Sequence, residues 1–305
     1  MIKKFANFPV YFILLLFSLT PVVWFWGKNG LLINGIDTNF PLDPLIWFSR
    51  RLEVWNAVQN NGADFSSSTA GLFFHFLQLV PYTLGLNLQQ VEMFSMIFWF
   101  GTIVVGAYLF SGLFMKKKLP RLLFVCLYSF NIYLFNSWEN VKVANLSLMA
   151  ALPFALVLVK MAIDKVWKIE TILVCSAVVG ILVAGTGINP AYLLSFFLTV
   201  LIFVAAELIT HGRSQYKRIG LSLGIITTMI LLVNLFWIFP TVNFIVHNIS
   251  ASSSIYAIGY NNWVESLSEN TSLINILRLQ GAWDWYPLDA ESGNPLYIPY
   301  ALNFF

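Results

Sequence analysis

The chain has 305 residues, of which 58% are hydrophobic and only 10% are charged, with a formal net charge of +3. Soluble domains carry about 25% charged residues, so this composition and a mean hydropathy of +0.75 exclude an ordinary water-soluble protein. The two cysteines, Cys126 and Cys175, lie in apolar runs, which argues against a disulfide framework. The apolar residues form long blocks, as membrane-spanning segments do.

Seven apolar blocks predict an all-α, polytopic bundle of transmembrane helices. They are Phe8–Trp26, Met93–Phe114, Arg121–Phe135, Val143–Val159, Ile172–Gly187, Ala191–Ile209 and Ile219–Phe239. The first block is too long for a signal peptide and closes with interfacial tryptophans, so we expect it to be retained as a span. We predict a transmembrane core over residues 1–239, with an external loop at 27–92, and a second external region over 240–305.

The charged residues predict the orientation of this bundle in the membrane. Twelve lysines and arginines fall on one side of the predicted spans and five on the other. The positive-inside rule places the first set in the cytoplasm. The acids are distributed the opposite way, with three inside and eleven outside. We therefore expect a multi-pass plasma-membrane protein with its amino terminus inside, its carboxyl terminus outside and its active face extracytoplasmic.

The first external loop is predicted to hold two helices that lie in the membrane interface. The stretch from Pro44 to about Gln59 is amphipathic, with apolar residues at helical spacing. Ala70–Leu84 is apolar but only about fifteen residues long, which is short for a bilayer core of about 30 Å. If it spanned, the charge asymmetry would collapse, so we predict an interfacial or re-entrant helix there.

Two carboxylates near the start of this loop are the candidate catalytic groups. Asp37 and Asp43 lie just beyond the first predicted span, where partial desolvation can raise a carboxyl pKa and make the group a general base. The alternative for Asp43 is structural, because Asp followed by Pro44 is a typical helix start. For Asp37 the alternative is an Asx-turn. Two carboxylates six residues apart also permit a divalent metal without requiring one.

Three further residues are candidate substrate contacts near the predicted outer surface. Arg50 and Arg51 are two of the five external cations, and arginine suits bidentate phosphate binding. Their alternative role is contact with lipid headgroups. Asn189 lies in a tight turn between two spans, where a backbone break can line a cavity or merely end a helix.

The last region supplies three more candidates. Arg278, Trp283 and Asp284 occur in a segment rich in tryptophan and tyrosine beside carboxylates. Such side chains suit the stacking and hydrogen bonding of a sugar ring, and they equally suit an interfacial aromatic anchor. This long external region has no apolar core of its own and is expected to pack against something else. We therefore expect further spans to follow in the complete protein, of which this chain would be the N-terminal portion.

Three short stretches resemble a known family. The stretch Gly35-Ile36-Asp37-Thr38 through Asp43-Pro44 is similar to a Gly-Asp-Thr…Asp-Pro opening, with Ile36 inserted. Gly187-Ile188-Asn189-Pro190-Ala191 is similar to a Gly-Val-Asn-Ala turn, and Leu277-Arg278-Leu279-Gln280-Gly281-Ala282-Trp283 to a Leu-Arg-Gly-Leu-Gly-x-Trp stretch. These patterns and the span arrangement resemble the GT-C class of membrane glycosyltransferases, and within it the alpha-(1→3)-arabinofuranosyltransferase family.

The resemblance implies a fold, a reaction and partners. The fold would be a GT-C-like helix bundle with interface helices. The enzyme would move a sugar, arabinofuranose in the named family, from a polyprenyl-phosphate donor to a glycan acceptor on the outer face, in cell-envelope polysaccharide biosynthesis. The reaction would invert the anomeric centre, with Asp37 as the general base. Asp43 would orient the acceptor or take the place of Asp37 as the base. Arg50, Arg51 or Arg278 would meet the donor phosphate.

Two other functions compete with this one. A transporter or flippase of lipid-linked glycans would be expected to carry mid-span charges and pseudo-symmetric repeats, and the sequence shows neither. The chain could also be a non-catalytic membrane subunit. A truncated chain would behave in this way even if the complete protein were an enzyme. In each case the expected partners are membrane lipids and lipid-linked sugars, with no nucleic acid.

Overall fold

The computed structural model describes residues 8–26, 40–56, 63–131, 133–134, 142–164, 167–211 and 216–270. Nine α-helices lie within these residues, in chain order α1 Phe8–Trp26, α2 Pro44–Arg50, α3 Leu72–Thr83, α4 Leu88–Ser111, α5 Lys118–Ser129, α6 Val143–Ile163, α7 Ile169–Ala184, α8 Pro190–His211 and α9 Tyr216–Asn270. The predicted all-α class is thereby confirmed.

Short elements complete the described part of the fold. Two 3₁₀ helices, Ser67–Gly71 and Gly185–Ile188, precede α3 and follow α7. Two strands of two residues each, β1 Trp55–Asn56 and β2 Ala63–Asp64, pair antiparallel with Trp55 opposite Asp64.

Five helices in the described residues are long and apolar enough to cross a membrane. They are α4, α6, α7 together with the 3₁₀ helix that follows it, α8 and α9. The predicted Phe8–Trp26 block forms α1 with the same bounds. The chain is therefore a helical protein compatible with a membrane, although five long apolar helices are fewer than the seven predicted spans.

The block predicted over Arg121–Phe135 forms a shorter helix than expected. Helix α5 covers twelve residues, or about 18 Å, which is less than the roughly 30 Å hydrocarbon core. Asn131 accounts for its end, because its side-chain amide donates to the Tyr128 carbonyl at 2.7 Å and its oxygen accepts from the Leu134 N–H at 2.9 Å. These local hydrogen bonds compete with continuation of the helix.

The predicted helix from Pro44 to Gln59 is wrong in its extent. Helix α2 ends at Arg50, and the chain then enters β1, where the Phe65 N–H donates to the Val54 carbonyl at 2.7 Å. Val54 and Trp55 have side chains that favour strands over helices, which the helical spacing of the preceding apolar residues obscured. The second predicted interface helix is confirmed as a helix, since α3 covers Leu72–Thr83.

Helix α9 continues past the predicted end of the last span. It has 55 residues and runs through Pro240 without ending there. At 1.5 Å per residue it is about 80 Å long, well over twice the bilayer core. The predicted boundary between a span and an external region at Pro240 therefore does not coincide with the end of a helix.

The core forms around α6, which packs against α4, α7 and α8. In the apolar stretch of α6, 72% of the residues are buried, compared with 17% in α8 and 22% in α9. Helix α6 is thus central, whereas α8 and α9 are peripheral and would turn apolar side chains to lipid. Helices α4 and α6 approach closely at Gly106, where a Cβ would lie 2.8 Å from the Phe154 ring. Small residues commonly allow such approaches between membrane helices.

One end of the bundle is covered by a small cap, which we define as residues 40–56 and 63–83, containing α2, β1, β2, the first 3₁₀ helix and α3. The first 3₁₀ helix contacts the second 3₁₀ helix and α9, and α3 contacts α4 and α7. After α3 the chain turns at Gly85, whose φ of +90° is a conformation that only glycine adopts freely. The cap holds three of the candidate residues, Asp43, Arg50 and Arg51.

Candidate functional site

Three of the four candidate residues that the structure describes lie in the cap, and the fourth, Asn189, directly follows the second 3₁₀ helix. Four other candidates, Asp37, Arg278, Trp283 and Asp284, lie outside the described residues. Their predicted roles are therefore carried by the sequence alone.

Asp43 has a defined structural task at the start of α2. Its side chain accepts a hydrogen bond from the Ile46 backbone N–H at 3.0 Å, and Pro44 occupies the first helical position. This is the capping role that the sequence offered as the alternative to catalysis. The second oxygen of a capping carboxylate retains lone pairs, and the Asp43 side chain is only half-buried, so capping and contact with a substrate are compatible.

The two adjacent arginines at the end of α2 have opposite environments. Arg50 ends the helix and is exposed, whereas Arg51 is only 9% exposed. The Arg51 guanidinium lies 5.5 Å from the Trp47 ring centroid and 5.9 Å from that of Phe65, at cation–π distance. Its Nη1 donates to the Ser68 carbonyl at 3.0 Å.

Arg51 has no counter-ion among the described residues. The ion pairs found there join Lys160 to Asp164 and Glu207, and the Arg51 Nε has no hydrogen-bond partner. Desolvation lowers the pKa of Arg51 to about 10, so the group remains charged at neutral pH. A buried charge without compensation is costly, and a binding site for an anion is one reason to retain it.

His75 and Gln78 lie beside Arg51 and are also buried, at 5% and 1% exposure. The His75 Nδ1 is hydrogen-bonded to the Gln78 Oε1 at 2.8 Å. The imidazole lies 5.8 Å from the Trp47 ring, which thus contacts both His75 and Arg51. Desolvation, with a smaller contribution from the Arg51 charge, lowers the pKa of His75 to about 3, although the Gln78 hydrogen bond opposes that shift. His75 is therefore neutral at physiological pH.

The second 3₁₀ helix closes the site from the bundle side. Ile188 reaches the first 3₁₀ helix at Gly71. Gly187 packs against Trp237 of α9, and a Cβ there would lie 2.6 Å from the indole ring. Trp237 in turn donates to the Asn234 side chain at 2.7 Å. The turn similar to Gly-Val-Asn-Ala therefore serves close packing at the base of the cap.

Asn189 does not join the buried residues. It is exposed, and its Oδ1 accepts from the Ala191 N–H at 3.1 Å, at the start of α8. This hydrogen bond is the helix-capping arrangement typical of asparagine. The neighbouring Ile188, rather than Asn189, contacts the surroundings of Arg51.

An apolar cavity of about 390 Å³ lies on the other flank of α3. Its lining is almost entirely aromatic and aliphatic, and consists of Phe48, Leu72, Phe73, Phe76, Leu77, Phe98, Trp99, Ile181 and Leu182. At 100° per residue, the cavity positions 72, 73, 76 and 77 face away from His75 and Gln78. The cavity and the polar residues are thus neighbours separated by the helix, and α2 contributes to both through Phe48 and Trp47.

No group of three His, Cys, Asp or Glu side chains in the described residues lies close enough to hold a metal ion. A divalent metal held by Asp37 and Asp43 stays a prediction, because Asp37 lies outside those residues. Sequence reasoning missed His75 and Gln78, although their i, i+3 spacing on an otherwise apolar helix was a detectable signal.

No family model, curated protein or solved structure matches this chain. The resemblance to arabinofuranosyltransferases therefore stays a prediction based on motifs.

Proposed function

We propose that this chain forms the membrane portion of a glycosyltransferase that takes a sugar from a polyprenyl-phosphate donor and passes it to a glycan acceptor at the outer face of the plasma membrane. The observation that carries the proposal is Arg51, a buried guanidinium without a counter-ion among the described residues. It lies in a cap at one end of an apolar bundle, where a lipid-linked phosphate would be accessible. Arginine binds phosphate through charge-assisted, often bidentate hydrogen bonds.

The position of Asp43 supports the same proposal. Helix α2 has seven residues, about 10 Å in length, with Asp43 at its start and Arg51 directly after its end. A carboxylate and a guanidinium at this separation suit a base near the anomeric carbon and a cation at the phosphate. In the proposal Asp37 is the general base, and Asp43 orients the acceptor or takes over as base.

The experiment measures sugar transfer from a labelled polyprenyl-phosphate sugar, using membranes that contain the complete protein. Asp37→Asn and Asp43→Asn remove the carboxylates. Asparagine at position 43 preserves the N-terminal hydrogen bond of α2, because asparagine and aspartate are about equally good N-cap residues. We expect at least one variant to lower the rate by more than about 100-fold, since general-base catalysis typically contributes 10²–10⁴-fold.

Glu53→Gln is the matched control, since Glu53 is an exposed carboxylate of the same cap. It should leave transfer unchanged. Full transfer by both aspartate variants would remove these residues from the reaction. Absence of transfer by the wild-type protein with every polyprenyl-phosphate sugar offered would refute the proposed activity.

A further inference from the structure

Three buried side chains of the cap each carry a nitrogen atom without a hydrogen-bond partner in the described structure. These atoms are the Nε of Arg51, the Nε2 of His75 and the Nε2 of Gln78. All three side chains are more than nine-tenths buried. Buried polar groups are nearly always hydrogen-bonded, so a cluster of exceptions calls for an explanation. His75 and Gln78 have no part in the proposed reaction as described so far.

Gly71 leaves a small gap between these groups. A Cβ at Gly71 would lie 3.6 Å from the Arg51 Nε, 3.5 Å from the His75 Cδ2 and 3.1 Å from the Ile188 Cδ1. The His75 Nε2 is bonded to Cδ2 and therefore borders the same region. Glycine thus keeps open a space of atomic size, edged by a guanidinium N–H, an imidazole nitrogen and one aliphatic side chain.

The His75–Gln78 pair can present either a donor or an acceptor to that gap. With the Gln78 oxygen against Nδ1, the imidazole proton is on Nδ1 and the Nε2 carries a lone pair. If the Gln78 amide rotates by half a turn, its NH₂ donates to Nδ1 and the imidazole proton is on Nε2. Both arrangements satisfy Nδ1, and the neutral imidazole keeps a single N–H in each.

The charge of Arg51 decides which ligand the gap suits. Arg51 is a buried cation with no carboxylate partner among the described residues, and such a cation favours an anion. An anionic oxygen would accept from the Arg51 Nε–H, and it would favour the tautomer in which the His75 Nε2 donates. Arginine forms such charge-assisted bonds with carboxylates and phosphates, and phosphate is the anion that the proposed donor carries.

We propose that the gap above Gly71 binds one oxygen of a phosphate group, which accepts hydrogen bonds from the Arg51 Nε–H and the His75 Nε2–H after the Gln78 amide has rotated. No covalent step is involved. The inference rests on the proposed function only for the source of the phosphate, which would be the polyprenyl-phosphate donor. Free inorganic phosphate shares the same chemistry.

The test is ¹⁵N nuclear magnetic resonance of the full chain, labelled at histidine, in maltoside micelles and a phosphate-free buffer. His211 and His247 serve as internal references, and His75→Phe assigns the His75 signals. Inorganic phosphate and a polyprenyl phosphate are added in separate arms. We expect the His75 proton to lie on Nδ1 without phosphate and on Nε2 with it, while both reference histidines remain unchanged.

Two substitutions probe the geometry. Arg51→Gln should weaken the apparent affinity for phosphate at least 10-fold, and Gly71→Ala should fill the gap and prevent the change of tautomer. Gly220→Ala is the matched glycine control, because a Cβ there meets no atom within 4 Å. It should behave as the wild-type protein does.

A His75 tautomer that stays unchanged at saturating concentrations of both probes would overturn the proposal. An equal change in Arg51→Gln would overturn it as well. A response to polyprenyl phosphate alone identifies a lipid-linked ligand, and a response to inorganic phosphate alone identifies a soluble one. If the His75 tautomer changes but the protein transfers no sugar, this inference stands and the proposed function is refuted. If the protein transfers sugar and the tautomer does not change, the proposed function stands and this inference is refuted.

Discussion

Two cations in separate regions of the described structure, the buried Arg51 and the partly buried Lys160, have different surroundings. The Arg51 guanidinium in the cap lies at cation–π distance from the Trp47 and Phe65 rings and has no carboxylate partner in the described structure. Lys160 on α6 lies 2.7 Å from Glu207 of α8 and 3.3 Å from Asp164. The Lys160 pair joins two helices, so its place in the fold is explained by its contacts. The described contacts of Arg51, with Trp47, Phe65 and the Ser68 carbonyl, supply no negative charge.

This difference shows how structural and functional charges can be told apart. In a buried ion pair each charge is compensated by the other. Removing one partner therefore leaves the remaining charge buried without compensation. A buried charge that no described residue compensates lowers stability, and we infer that Arg51 is retained for a ligand that supplies the missing charge.

The orientation of the two ends of the bundle is tested by labelling from outside. In a variant whose two native cysteines are replaced, Glu53→Cys and Lys117→Cys place single exposed thiols in the cap and in the α4–α5 connection. A membrane-impermeant maleimide should label the first in intact cells and the second only after lysis, because the charge distribution predicts that the cap lies outside. The reversed pattern would invert the predicted topology.

Removing each cation should have a different consequence. Arg51→Gln is expected to weaken polyprenyl-phosphate binding at least 10-fold, since charged hydrogen bonds contribute about 1.5–3 kcal/mol each, while the melting temperature is unchanged or higher. Lys160→Gln should leave binding intact and lower stability by about 1–3 kcal/mol, less than a fully buried pair because its side chain is 20% exposed.

Binding measured by fluorescence titration and unfolding measured by thermal melts in micelles distinguish the two variants. If Arg51→Gln unfolds the protein while binding by the folded fraction persists, the guanidinium is structural and the contrast with Lys160 fails.

His75 should make the stability of the cap dependent on pH. Its pKa of about 3 in the folded chain lies below the ordinary value of 6.5, so the unfolded chain binds more protons between these values. Stability should therefore fall as the pH decreases below about 6.5, by up to about 1.4 kcal/mol per pH unit for this group. Thermal melts at pH 6 and pH 5 should differ more for the wild-type protein than for His75→Phe. Equal differences would show that His75 is accessible to protons in the folded state.

The smallest effect concerns Asp43, the N-cap residue of α2. Asp43→Ala should destabilise the protein by about 1 kcal/mol, the usual cost of losing an N-cap, whereas Asp43→Asn should be nearly neutral in a thermal melt. If both variants are equally stable, the hydrogen bond to Ile46 contributes little, and Asp43 has no measurable structural role.

The sequence predicted the fold well where periodicity is long and poorly where short polar signals interrupt it. Helix α1 was predicted with its observed bounds because nearly all of its 19 residues are apolar. Helix α5 ends at Ser129 because the Asn131 side chain hydrogen-bonds the nearby backbone. The early end of α2 could have been anticipated from Val54 and Trp55, followed by Asn61-Gly62, a dipeptide typical of hairpin turns.

The site was predictable only in its residue types. The sequence singled out both Arg50 and Arg51, but which of two adjacent arginines turns inward depends on where α2 ends and on the packing of Trp47 and Phe65. The contribution of His75 depends on a neighbour, Gly71, whose role is to leave space rather than to make a bond. Such a role has no signature in composition or spacing.

Native mass spectrometry can show directly whether Arg51 binds a phosphate carried by a membrane lipid. Wild-type protein, Arg51→Gln and Lys160→Gln would each be incubated with a polyprenyl phosphate in micelles and then released into the gas phase. We predict a one-to-one adduct for the wild-type protein and for Lys160→Gln, and at least 10-fold less adduct for Arg51→Gln. Equal occupancy in all three, or none in the wild-type protein, would contradict the claim.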